Sequence, residues 1–379
     1  MKRPGPARIG LDACCLTGSR TGIGNYVEAL LGPLCEQQPD TKFFLYSNGD
    51  GDFPTAPNIV HRISRPLRRG PIWHNTKLPR MLRADRIDVF WGTNGLIPLH
   101  GLQRTASVVT IHDLVHRFAP DTQLLSVRWK QRVFQPLCAR AADRLVTVSR
   151  ATADDVSLHY GREPDAVIEP LARQAFAPVE RAAADATLHR LGVSTPYLLT
   201  VGTLEPRKNL RALVEAHAEC AAGGAALPTL VIAGGRGWLD ARLHEALADP
   251  ALGDRIRWLG FVPTDSLVHL YARCEAFVMP SLYEGYGIPL LEAQLCGAPV
   301  IHGDHRSMVE AAGGVGVSVR PTREGLHRAL RDLAAGRLPL VCRLPATIHN
   351  DAAMSAGRLW AVMTGAWQAR SGRLAVQPA

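Results

Sequence analysis

The chain has 379 residues, of which 46% are hydrophobic, and its 43 Lys and Arg outnumber its 34 Asp and Glu. This length exceeds a single core of ordinary size, so about two domains are expected. No apolar run approaches the roughly 20 residues of a membrane-spanning helix, and the first residues, MKRP, lead toward a strand and not a signal-peptide core. The composition therefore predicts a cytoplasmic protein and excludes a membrane-spanning one.

The net charge of +9 permits nucleic acid, an anionic membrane surface or a phosphorylated small molecule as a partner. The cations are concentrated between His61 and Arg86, where a single acid, Asp85, faces eight basic residues: Arg62, Arg65, Arg68, Arg69, Lys77, Arg80, Arg83 and Arg86. Apolar residues are interleaved with them, so a basic amphipathic face is predicted over 61–86. Either an anionic membrane or plain solvent is compatible with such a face.

Short apolar runs alternate with helical patterns, which is typical of βαβ units and parallel sheets. In the first half, strands are predicted at Arg8–Asp12, Lys42–Ser47, Ile59–Ile63, Asp88–Trp91, Ser107–Ile111, Arg144–Val148 and Ala166–Glu169, and helices at Tyr26–Glu36, Leu125–Ala142 and Thr152–Tyr160. In the second half, strands are predicted at Tyr197–Val201, Leu230–Ala233, Ile256–Leu259, Ala276–Pro280, Pro299–His302 and Val315–Val319. Helices are predicted there at Leu210–Ala222, Asp240–Leu247, Thr264–Arg273, Pro289–Cys296 and Arg323–Ala334.

This alternation predicts two doubly wound α/β halves that join near residues 178–195. We expect one domain over 1–180, a second over 181–345, and a last segment, 346–379, whose helix Ala352–Gln368 returns to the first domain. Ligands of such folds bind beyond the carboxyl ends of the strands, so a central cleft between the two halves is the expected site.

The stretch "TLEPRKNLRAL" places two cations, Arg207 and Lys208, between a strand and a helix. Asn209 is predicted as the N-cap of that helix, whose apolar residues begin at Leu210. Backbone amides and the helix dipole favour an anion at such a position, and a diphosphate suits two fixed positive charges. The alternative is a solvated surface pair, and this motif alone does not separate the two.

A second stretch, "PSLYEGYGIPLLEAQLCGAPVI", places two acids around the start of another helix. Glu284 lies in a glycine-containing loop, and Glu292 follows Pro289 within the first turns of the helix. The glycines would let backbone amides approach a phosphate, and the carboxylates would accept hydrogen bonds from sugar hydroxyls. Alternatively, Glu292 only caps its helix and Glu284 is solvated.

Taken together and in this order, "VGTLEPRKNL", "VIAGGRGW", "WLGFVP" and "PSLYEGYGIPLLEAQLCGAPVI" resemble the family-four retaining glycosyltransferases of the GT-B fold. In the first half, "TGIGNYVEALLGPL", "TIHDLVH" and "LVTVSRATADDV" are similar to the glycine loop, the His-Asp strand end and the Ser-containing turn of that family. The resemblance implies the GT-B fold, with two Rossmann-like domains facing a central cleft.

The resemblance also implies residue roles. Arg207 and Lys208 would bind the nucleotide diphosphate and neutralise the leaving group, Glu292 would hold the ribose and Glu284 the hexose. Further donor contacts would come from Gly285, Tyr286 and Gly287. In the first domain, Gly22 and Gly24 would approach the diphosphate and the acceptor, and His112 would hydrogen-bond the sugar. Catalysis is thus assigned to Arg207, Lys208, Glu284 and His112, with no metal.

The style of these motifs resembles bacterial mannosyl- and rhamnosyltransferases of O-antigen or exopolysaccharide assembly. This favours GDP-mannose or a GDP-6-deoxyhexose as donor substrate, with UDP-glucose second, and no separate cofactor. The implied acceptor is a growing glycan, linked to polyprenyl diphosphate. With such an acceptor, the protein would lie at the inner face of the cytoplasmic membrane, held through residues 61–86.

Several other interpretations of the sequence are weaker. Asp50 and Asp52 have the Asp-x-Asp form of a metal site, but "SNGDGDFP" is dense in turn formers and a surface turn is predicted. His112 and His116 have a zinc-like spacing, yet they follow a strand and lack the helical Glu of that motif. "GIGNY" lacks the third glycine of a dehydrogenase fingerprint. A nucleotide-sugar epimerase of the same fold remains an alternative, whereas the few aromatics argue against a nucleic-acid-binding protein.

Overall fold

The computed structural model describes residues 5–18, 22–64, 71–237, 241–247, 250–341 and 350–376. Within these ranges the chain divides into two compact units. The first contains residues up to Arg117, Gln123–Leu171 and the residues from Asn350 onward, and the second contains Phe118–Thr122 and Ala172 to the residue before Asn350.

The first unit is built on a parallel sheet. Its strands are β1 (Arg8–Asp12), β2 (Lys42–Ser47), β3 (Ile59–Ile63), β4 (Val89–Gly92), β5 (Ala106–Ile111), β6 (Arg144–Thr147) and β7 (Ala166–Val167). Its helices are α1 (Gly22–Gln37), α2 (Pro71–Thr76), α3 (Leu78–Ala84), α4 (Val115–Phe118), α5 (Leu125–Ala141) and α6 (Arg150–Tyr160). The seven strands lie in the order β3-β2-β1-β4-β5-β6-β7. Every residue of β4 and β5 is buried, as expected for inner parallel strands covered on both faces.

The second unit has a sheet of the same kind. Its strands are β8 (Tyr197–Val201), β9 (Thr229–Ala233), β10 (Ile256–Gly260), β11 (Ala276–Met279), β12 (Val300–Gly303) and β13 (Val317–Val319). Its helices are α7 (Arg181–Leu191), α8 (Leu210–Ala222), α9 (Ala241–Leu247), α10 (Thr264–Arg273), α11 (Ile288–Leu295), α12 (Arg306–Ala311) and α13 (Arg323–Ala334). The six strands lie in the order β10-β9-β8-β11-β12-β13, and all pair in parallel. Hydrophobic clusters cover both faces of this sheet.

The last helix, α14 (Ala352–Val376), packs on the first unit, where it contacts α1, β4, β5 and β6. Its buried side chains Ala356, Leu359, Met363 and Ala366 recur at three- and four-residue intervals, which gives the helix one apolar stripe. The helix continues beyond the predicted end at Gln368. Beyond Gln368, the polar and glycine residues from Arg370 to Arg373 interrupt the apolar pattern, so the pattern alone does not reveal these last turns.

Several short helices were not predicted from the sequence. The stretch around 178–195, predicted as the join between the halves, contains α7, whose buried face is only Ala184, Thr187 and Leu188. So small an apolar face gives a weak helical signal. Helices α2, α3, α4 and α12 have four to seven residues, too few for a periodic pattern to emerge. Helix α1 begins at Gly22, earlier than the predicted Tyr26. The prediction missed this first turn because it contains two glycines, which have low helix propensity.

Candidate active site

The two cations of "TLEPRKN" lie directly beyond the carboxyl end of β8. Residues Pro206–Lys208 form a single 3₁₀ turn, with Glu205 before it in an extended conformation. The Arg207 guanidinium donates to Glu205 Oε1 at 2.5 Å and to the Tyr283 carbonyl at 3.0 Å, and it also pairs with the Glu284 carboxylate. Lys208 Nζ donates to Glu284 Oε1 at 2.7 Å. The structure therefore brings together Arg207, Lys208 and Glu284, the last of which is 76 residues from Lys208 in sequence.

Asn209 precedes α8 in the left-handed conformation (φ 56°), but its side chain does not cap the helix, which corrects the predicted N-cap role. Its amide group instead donates to the carbonyls of Pro280 (3.1 Å) and Pro321 (2.6 Å). These carbonyls follow β11 and β13, so Asn209 ties the Arg-Lys turn to two other strand ends. An N-cap residue normally has an extended backbone, and Asn209 does not. Its side chain therefore donates to these two carbonyls and accepts no hydrogen bond from the first amides of α8.

Glu284 is buried at 8% exposure, which rules out the solvated alternative for this residue. Burial by itself raises the pKa of the carboxyl, but the charges of Arg207 and Lys208 and the hydrogen bond from Lys208 outweigh burial and lower the pKa to about 2. The Glu284 carbonyl also accepts a 2.6 Å hydrogen bond from Ser307 Oγ at the start of α12. Glu284 is thus ionised and fixed at both its backbone and its side chain.

The sequence-based interpretation missed Glu205, which is 6% exposed and completes the cluster. With Glu205 included, two cations face two carboxylates, and the group is close to neutral. Burying unpaired charges would be costly, so the acids offset the desolvation of the cations. The sequence did contain an indication of this ion pair, because Glu205 stands only two residues before Arg207.

Backbone packing alone explains why "VIAGGRGW" contains glycine at positions 234 and 237. A Cβ on Gly234 would lie 1.8 Å from the Gly202 carbonyl oxygen, and one on Gly237 would lie 1.9 Å from the Leu204 oxygen. The two loops are joined by hydrogen bonds from Gly202 N to Ala233 O and from Leu204 N to Gly235 O. The motif therefore holds the loop that follows β8 against the loop that follows β9.

Glu292 lies on α11 at 6% exposure and accepts a 3.3 Å hydrogen bond from the Tyr271 hydroxyl. Burial raises the pKa of Glu292 to about 7, and Arg173, Tyr271 and Lys208 only partly oppose this effect. Lys208 thus acts electrostatically on both glutamates, directly on Glu284 and more weakly on Glu292. The two acids that the sequence paired have opposite pKa shifts because only Glu284 is in contact with cations.

The loop between the glutamates carries Gly285, Tyr286 and Gly287. Gly287 precedes α11 with φ 131°, a conformation that side chains rarely adopt, and α11 begins at Ile288 with Pro289 in its first turn. Tyr286 is partly buried and packs against the hydrophobic core of the second unit. The geometry thus requires glycine at 287 and anchors Tyr286. Amide contacts from this loop to a phosphate remain a prediction.

In the first unit, His112 follows β5 and is half-buried. Its Nε2 donates to the Thr93 carbonyl at 2.7 Å, and its ring packs edge-on against Tyr26. Burial lowers the pKa of His112 to about 4 despite this hydrogen bond. The imidazole is therefore neutral near pH 7 and, with Nε2 protonated, presents Nδ1 as an acceptor.

A buried network supports His112 and was not predicted. The Thr93 hydroxyl donates to the Asp12 carbonyl at 2.6 Å, and the Asp12 carboxylate contacts His74 Nε2 at 2.9 Å. Burial raises the pKa of Asp12, but the charge and hydrogen bond of His74 more than reverse this and lower it. Asp12 ends β1, and Thr93 and His112 follow β4 and β5; these strands are adjacent, so the three residues lie along one sheet edge.

Gly22 and Gly24 begin α1 and do not form a separate loop. Gly22 is exposed, whereas a Cβ on Gly24 would lie 2.7 Å from the Cys15 carbonyl oxygen, so Gly24 lets α1 pack closely on the turn after β1. Packing thus accounts for Gly24, and a ligand contact at either glycine remains a prediction.

The two metal-like motifs of the first half lie in an exposed loop and after β5, where His112 follows the strand and His116 lies in the short helix α4, not in the predicted strand-end loop. Asp50 and Asp52 are exposed at the surface, flanking Gly51 in its bridge to Thr17. His116 is buried at 4% exposure and contacts the Tyr160 hydroxyl at 3.3 Å. Among the described residues, no three His, Cys, Asp or Glu side chains form a group that would hold a metal ion.

The basic face over 61–86 is described only in part, because Arg65, Arg68 and Arg69 lie outside the described residues. Arg62 is paired with Asp85 at 3.0 Å, while Lys77, Arg80 and Arg83 are exposed on and beside α3. No helix in the described part of the chain has the length and apolar character needed to cross a bilayer.

Two family models match the chain, one on each half. Glycosyltransferase Family 4 matches residues 20–170, and Glycosyl transferases group 1 matches residues 189–337. With the two parallel sheets, these matches define a glycosyltransferase of the GT-B fold. The chain thus carries a Glycosyltransferase Family 4 domain in its first half and a Glycosyl transferases group 1 domain in its second half, and it is a hexosyltransferase, as the sequence motifs predicted.

Similar proteins agree with this assignment. The O-antigen chain mannosyltransferase B of Escherichia coli is 29% identical over 321 residues, which cover 79% of this chain and 83% of that protein. The serotype-specific mannosyltransferase WbdA of Escherichia coli is 28% identical over 212 residues, 50% of this chain and 25% of the much longer relative. Among solved structures, HepE of Anabaena in complex with UDP-glucose has a TM-score of 0.66 at 18% identity, over 98% of this chain and 100% of HepE.

Proposed function

We propose that this enzyme transfers a mannosyl or related 6-deoxyhexosyl unit from a nucleotide-diphosphate sugar to a growing glycan, with retention of anomeric configuration. The mannosyltransferase relatives support the sugar, and the UDP-glucose complex of HepE supports a nucleotide-sugar donor. GDP-mannose is the favoured donor. The observation that carries the proposal is the Arg207–Glu284–Lys208 cluster at the carboxyl end of β8, where ligands of such sheets bind.

The donor diphosphate would be held by Arg207 and Lys208. Lys208 Nζ has three N–H donors, and Glu284 takes one of them at 2.7 Å. Fixed charges in a partly buried site stabilise the negative charge that develops on the leaving diphosphate better than mobile water does. Glu284 orients both cations and would itself accept hydrogen bonds from the hexose.

Glu292 would receive the ribose hydroxyls. With a pKa of about 7, Glu292 is partly ionised near neutral pH, and ribose hydroxyls donate stronger hydrogen bonds to the ionised form. Backbone amides of Gly285, Tyr286 and Gly287 would approach the phosphates. In the first unit, His112 Nδ1 would accept a hydroxyl of the transferred sugar, and Gly22 and Gly24 would lie near the acceptor.

The acceptor would be a polyprenyl-diphosphate-linked glycan, by analogy with O-antigen assembly. The cations over 61–86 would then hold the enzyme on the inner face of an anionic membrane, at about 1 kcal/mol per Lys or Arg near the surface. A cytoplasmic enzyme with peripheral attachment is the expected arrangement. Nucleic acid is not an expected partner.

A donor screen by mass spectrometry tests the proposal directly. Purified enzyme is incubated with GDP-mannose, a GDP-6-deoxyhexose or UDP-glucose, each with and without a polyprenyl-type acceptor carrying a short glycan. We expect nucleotide release and a mass increase of one hexose or deoxyhexose with a GDP-sugar only when acceptor is present. Acceptor-independent conversion of the donor would instead indicate the epimerase, and transfer only from UDP-glucose would overturn the choice of sugar.

A further inference from the structure

Tyr283 lies in the loop that follows β11, directly before Glu284, and its ring packs against two other rings. The ring of Phe118 is stacked on it, with centroids 5.0 Å apart and an angle of 12° between the planes. The ring of His305 meets it at 62°, with centroids 4.6 Å apart. Tyr283 is 1% exposed, whereas Phe118 is 44% exposed. These three rings, hereafter the Tyr283 ring cluster, thus cover a buried tyrosine beside the charged residues of the candidate site.

The backbone around Tyr283 holds Arg207. The Tyr283 carbonyl accepts a 3.0 Å hydrogen bond from the Arg207 guanidinium, and the amide of Leu282 donates to the Arg207 carbonyl at 2.9 Å. Arg207 is therefore tied to this loop at both its side chain and its backbone. The carbonyl and the ring of Tyr283 share one Cα, so packing that fixes the ring also limits how far the carbonyl can move.

The His305 side of the Tyr283 ring cluster is anchored by hydrogen bonds at the start of α12. His305 is the N-cap of α12, where its Nδ1 accepts from the Ser307 amide at 3.4 Å. The Ser307 hydroxyl in turn donates to the Glu284 carbonyl at 2.6 Å. The Phe118 side chain carries no hydrogen-bonding group. Phe118 is therefore the member of the cluster whose ring can be changed without removing a side-chain hydrogen bond of the site.

Phe118 comes from the first half of the sequence, far from Tyr283. It ends α4 and begins the segment Phe118–Thr122, which belongs to the second unit although the residues on either side of it belong to the first. The Thr122 hydroxyl donates to the Ala119 carbonyl at 2.6 Å and closes this segment into a turn. The segment is thus built as part of the second unit, and its aromatic ring packs there.

We propose that Phe118 is a positioning residue for the Arg207 guanidinium. Its ring, stacked on Tyr283, keeps the Tyr283 carbonyl where it accepts from Arg207, and the guanidinium is thereby oriented for the diphosphate of the donor. Because a guanidinium presents its N–H donors in one fixed plane, a tilt of that plane changes every hydrogen bond that it makes. The inference rests on the proposed function for the role of Arg207.

Two variants separate positioning from simple shielding of Tyr283 against water. Phe118→Leu keeps an apolar side chain at this position but removes the stacked ring, and Phe118→Tyr keeps the ring. Because Phe118 is 44% exposed, neither variant is expected to lower Tm appreciably. A shielding role predicts that Leu serves as well as Tyr, whereas a positioning role predicts that only Tyr does.

Calorimetry with GDP, the product of the favoured donor, measures the effect without turnover. Phe118→Leu is expected to weaken GDP binding about three- to tenfold, which corresponds to the loss of one aromatic pair, and Phe118→Tyr is expected to bind like wild type. UDP replaces GDP if the donor screen selects UDP-glucose. Trp129→Leu, which removes a 66% exposed ring on α5, is the matched control and is expected to leave GDP affinity unchanged.

A double-mutant cycle tests whether Phe118 acts through Arg207. Arg207→Lys keeps the positive charge, so GDP binding stays measurable. It loses the planar group that contacts Glu205, Glu284 and the Tyr283 carbonyl together. In this background there is no guanidinium to orient, and Phe118→Leu is expected to change GDP affinity by less than about twofold.

Four results would overturn the inference. These are wild-type GDP affinity in Phe118→Leu, an equal loss in Phe118→Tyr, an equal loss in Trp129→Leu, and a full loss from Phe118→Leu in the Arg207→Lys background. Wild-type GDP affinity in Arg207→Lys would remove Arg207 from the donor site, and the proposed site and the inference would fail together. Weakened binding in Arg207→Lys without any loss in Phe118→Leu would reject the positioning role alone.

Discussion

The candidate site residues that follow β5 and β8 differ in charge: one is neutral and the others are ionised. Beyond β5, His112 is neutral, with a pKa lowered to about 4 and one ring nitrogen committed to the Thr93 carbonyl. Beyond β8, Arg207, Lys208 and Glu284 are all charged and pair with one another. A neutral imidazole suits sugar hydroxyls, and the paired charges beyond β8 suit a diphosphate. Each set of residues thus suits a different chemical group of the proposed substrate.

The largest expected effect comes from removing a cation beyond β8. Lys208→Met keeps the length of the side chain but cannot donate to the diphosphate, so kcat is expected to fall about 10²–10³-fold, as for loss of one preorganised donor. The measurement is turnover with the donor identified by the screen. Arg323→Met removes an exposed cation, paired with Glu219 on α8, and serves as the control that leaves turnover unchanged.

Thermal melting is needed beside that measurement, because Lys208 also compensates the buried Glu284. Removing one partner of a buried ion pair is destabilising, and Lys208→Met is expected to lower Tm. A variant with reduced Tm but normal kcat and normal donor affinity would show that the cluster only stabilises the fold.

The second prediction compares the two glutamates. Glu292→Ala is expected to weaken binding of the free nucleoside diphosphate by about 1.5–3 kcal/mol, because the ribose that it would contact is present in that ligand. Glu284→Ala is expected to leave that affinity unchanged or tighter, since it removes a negative charge beside both cations. Its loss is expected in turnover, where orientation of the hexose matters. Calorimetry and transfer kinetics on both variants provide the comparison, and equal weakening of nucleotide binding by both would mean that the donor is placed wrongly.

The third prediction concerns pH. With a pKa of about 7, Glu292 is mostly protonated near pH 6 and mostly ionised near pH 8, so kcat/KM for the donor is expected to rise up to about tenfold across this range. His112, with a pKa of about 4, stays neutral throughout and contributes nothing to this limb. Glu292→Gln is expected to flatten the profile. An unchanged limb in that variant would assign the titration to another group.

The two glutamates also act on stability with opposite signs. Between its usual pKa of 4.5 and its folded value of about 7, Glu292 binds a proton more tightly in the folded chain, so stability falls as pH rises through this window. Glu284 has a folded pKa of about 2, and its contribution to stability is present above pH 4.5 and is lost as pH falls toward 2. Denaturation of Glu292→Gln at several pH values isolates the first effect.

The order of strands and the motifs at their ends were predictable from the sequence because both are local. Strands such as Tyr197–Val201 are continuous apolar runs, and the Pro-Arg-Lys turn follows its strand directly. What the sequence does not reveal is pairing across long separations. The carbonyls that Asn209 reaches lie 71 and 112 residues away, and this tertiary geometry overrides the local capping preference.

Burial was the other quantity that the sequence did not reveal. Glu284 and Glu292 are the same residue type in the sequence. In the structure, contact with cations lowers the pKa of Glu284, whereas burial without such contact raises the pKa of Glu292. Likewise, the sequence predicts a helix over Leu125–Ala142 but not which of its apolar residues are exposed. Their exposure appears only once Gln135, Cys138 and Ala139 are seen to form the buried face.

The smallest expected effect is that of metal removal. If Arg207 and Lys208 stabilise the leaving diphosphate, no divalent ion is required, and excess EDTA is expected to leave the initial rate within about twofold, a change below about 0.5 kcal/mol. The control is the same assay with Lys208→Met, in which added Mg²⁺ or Mn²⁺ partly restores turnover if a metal substitutes for the missing cation. Complete loss of wild-type activity in EDTA, restored by Mn²⁺, would contradict the assignment of the cations beyond β8 and direct attention to Asp50 and Asp52. Because these acids lie in the first unit, that result would move the stabilising charge away from β8 and remove the contrast between the residues that follow β5 and β8.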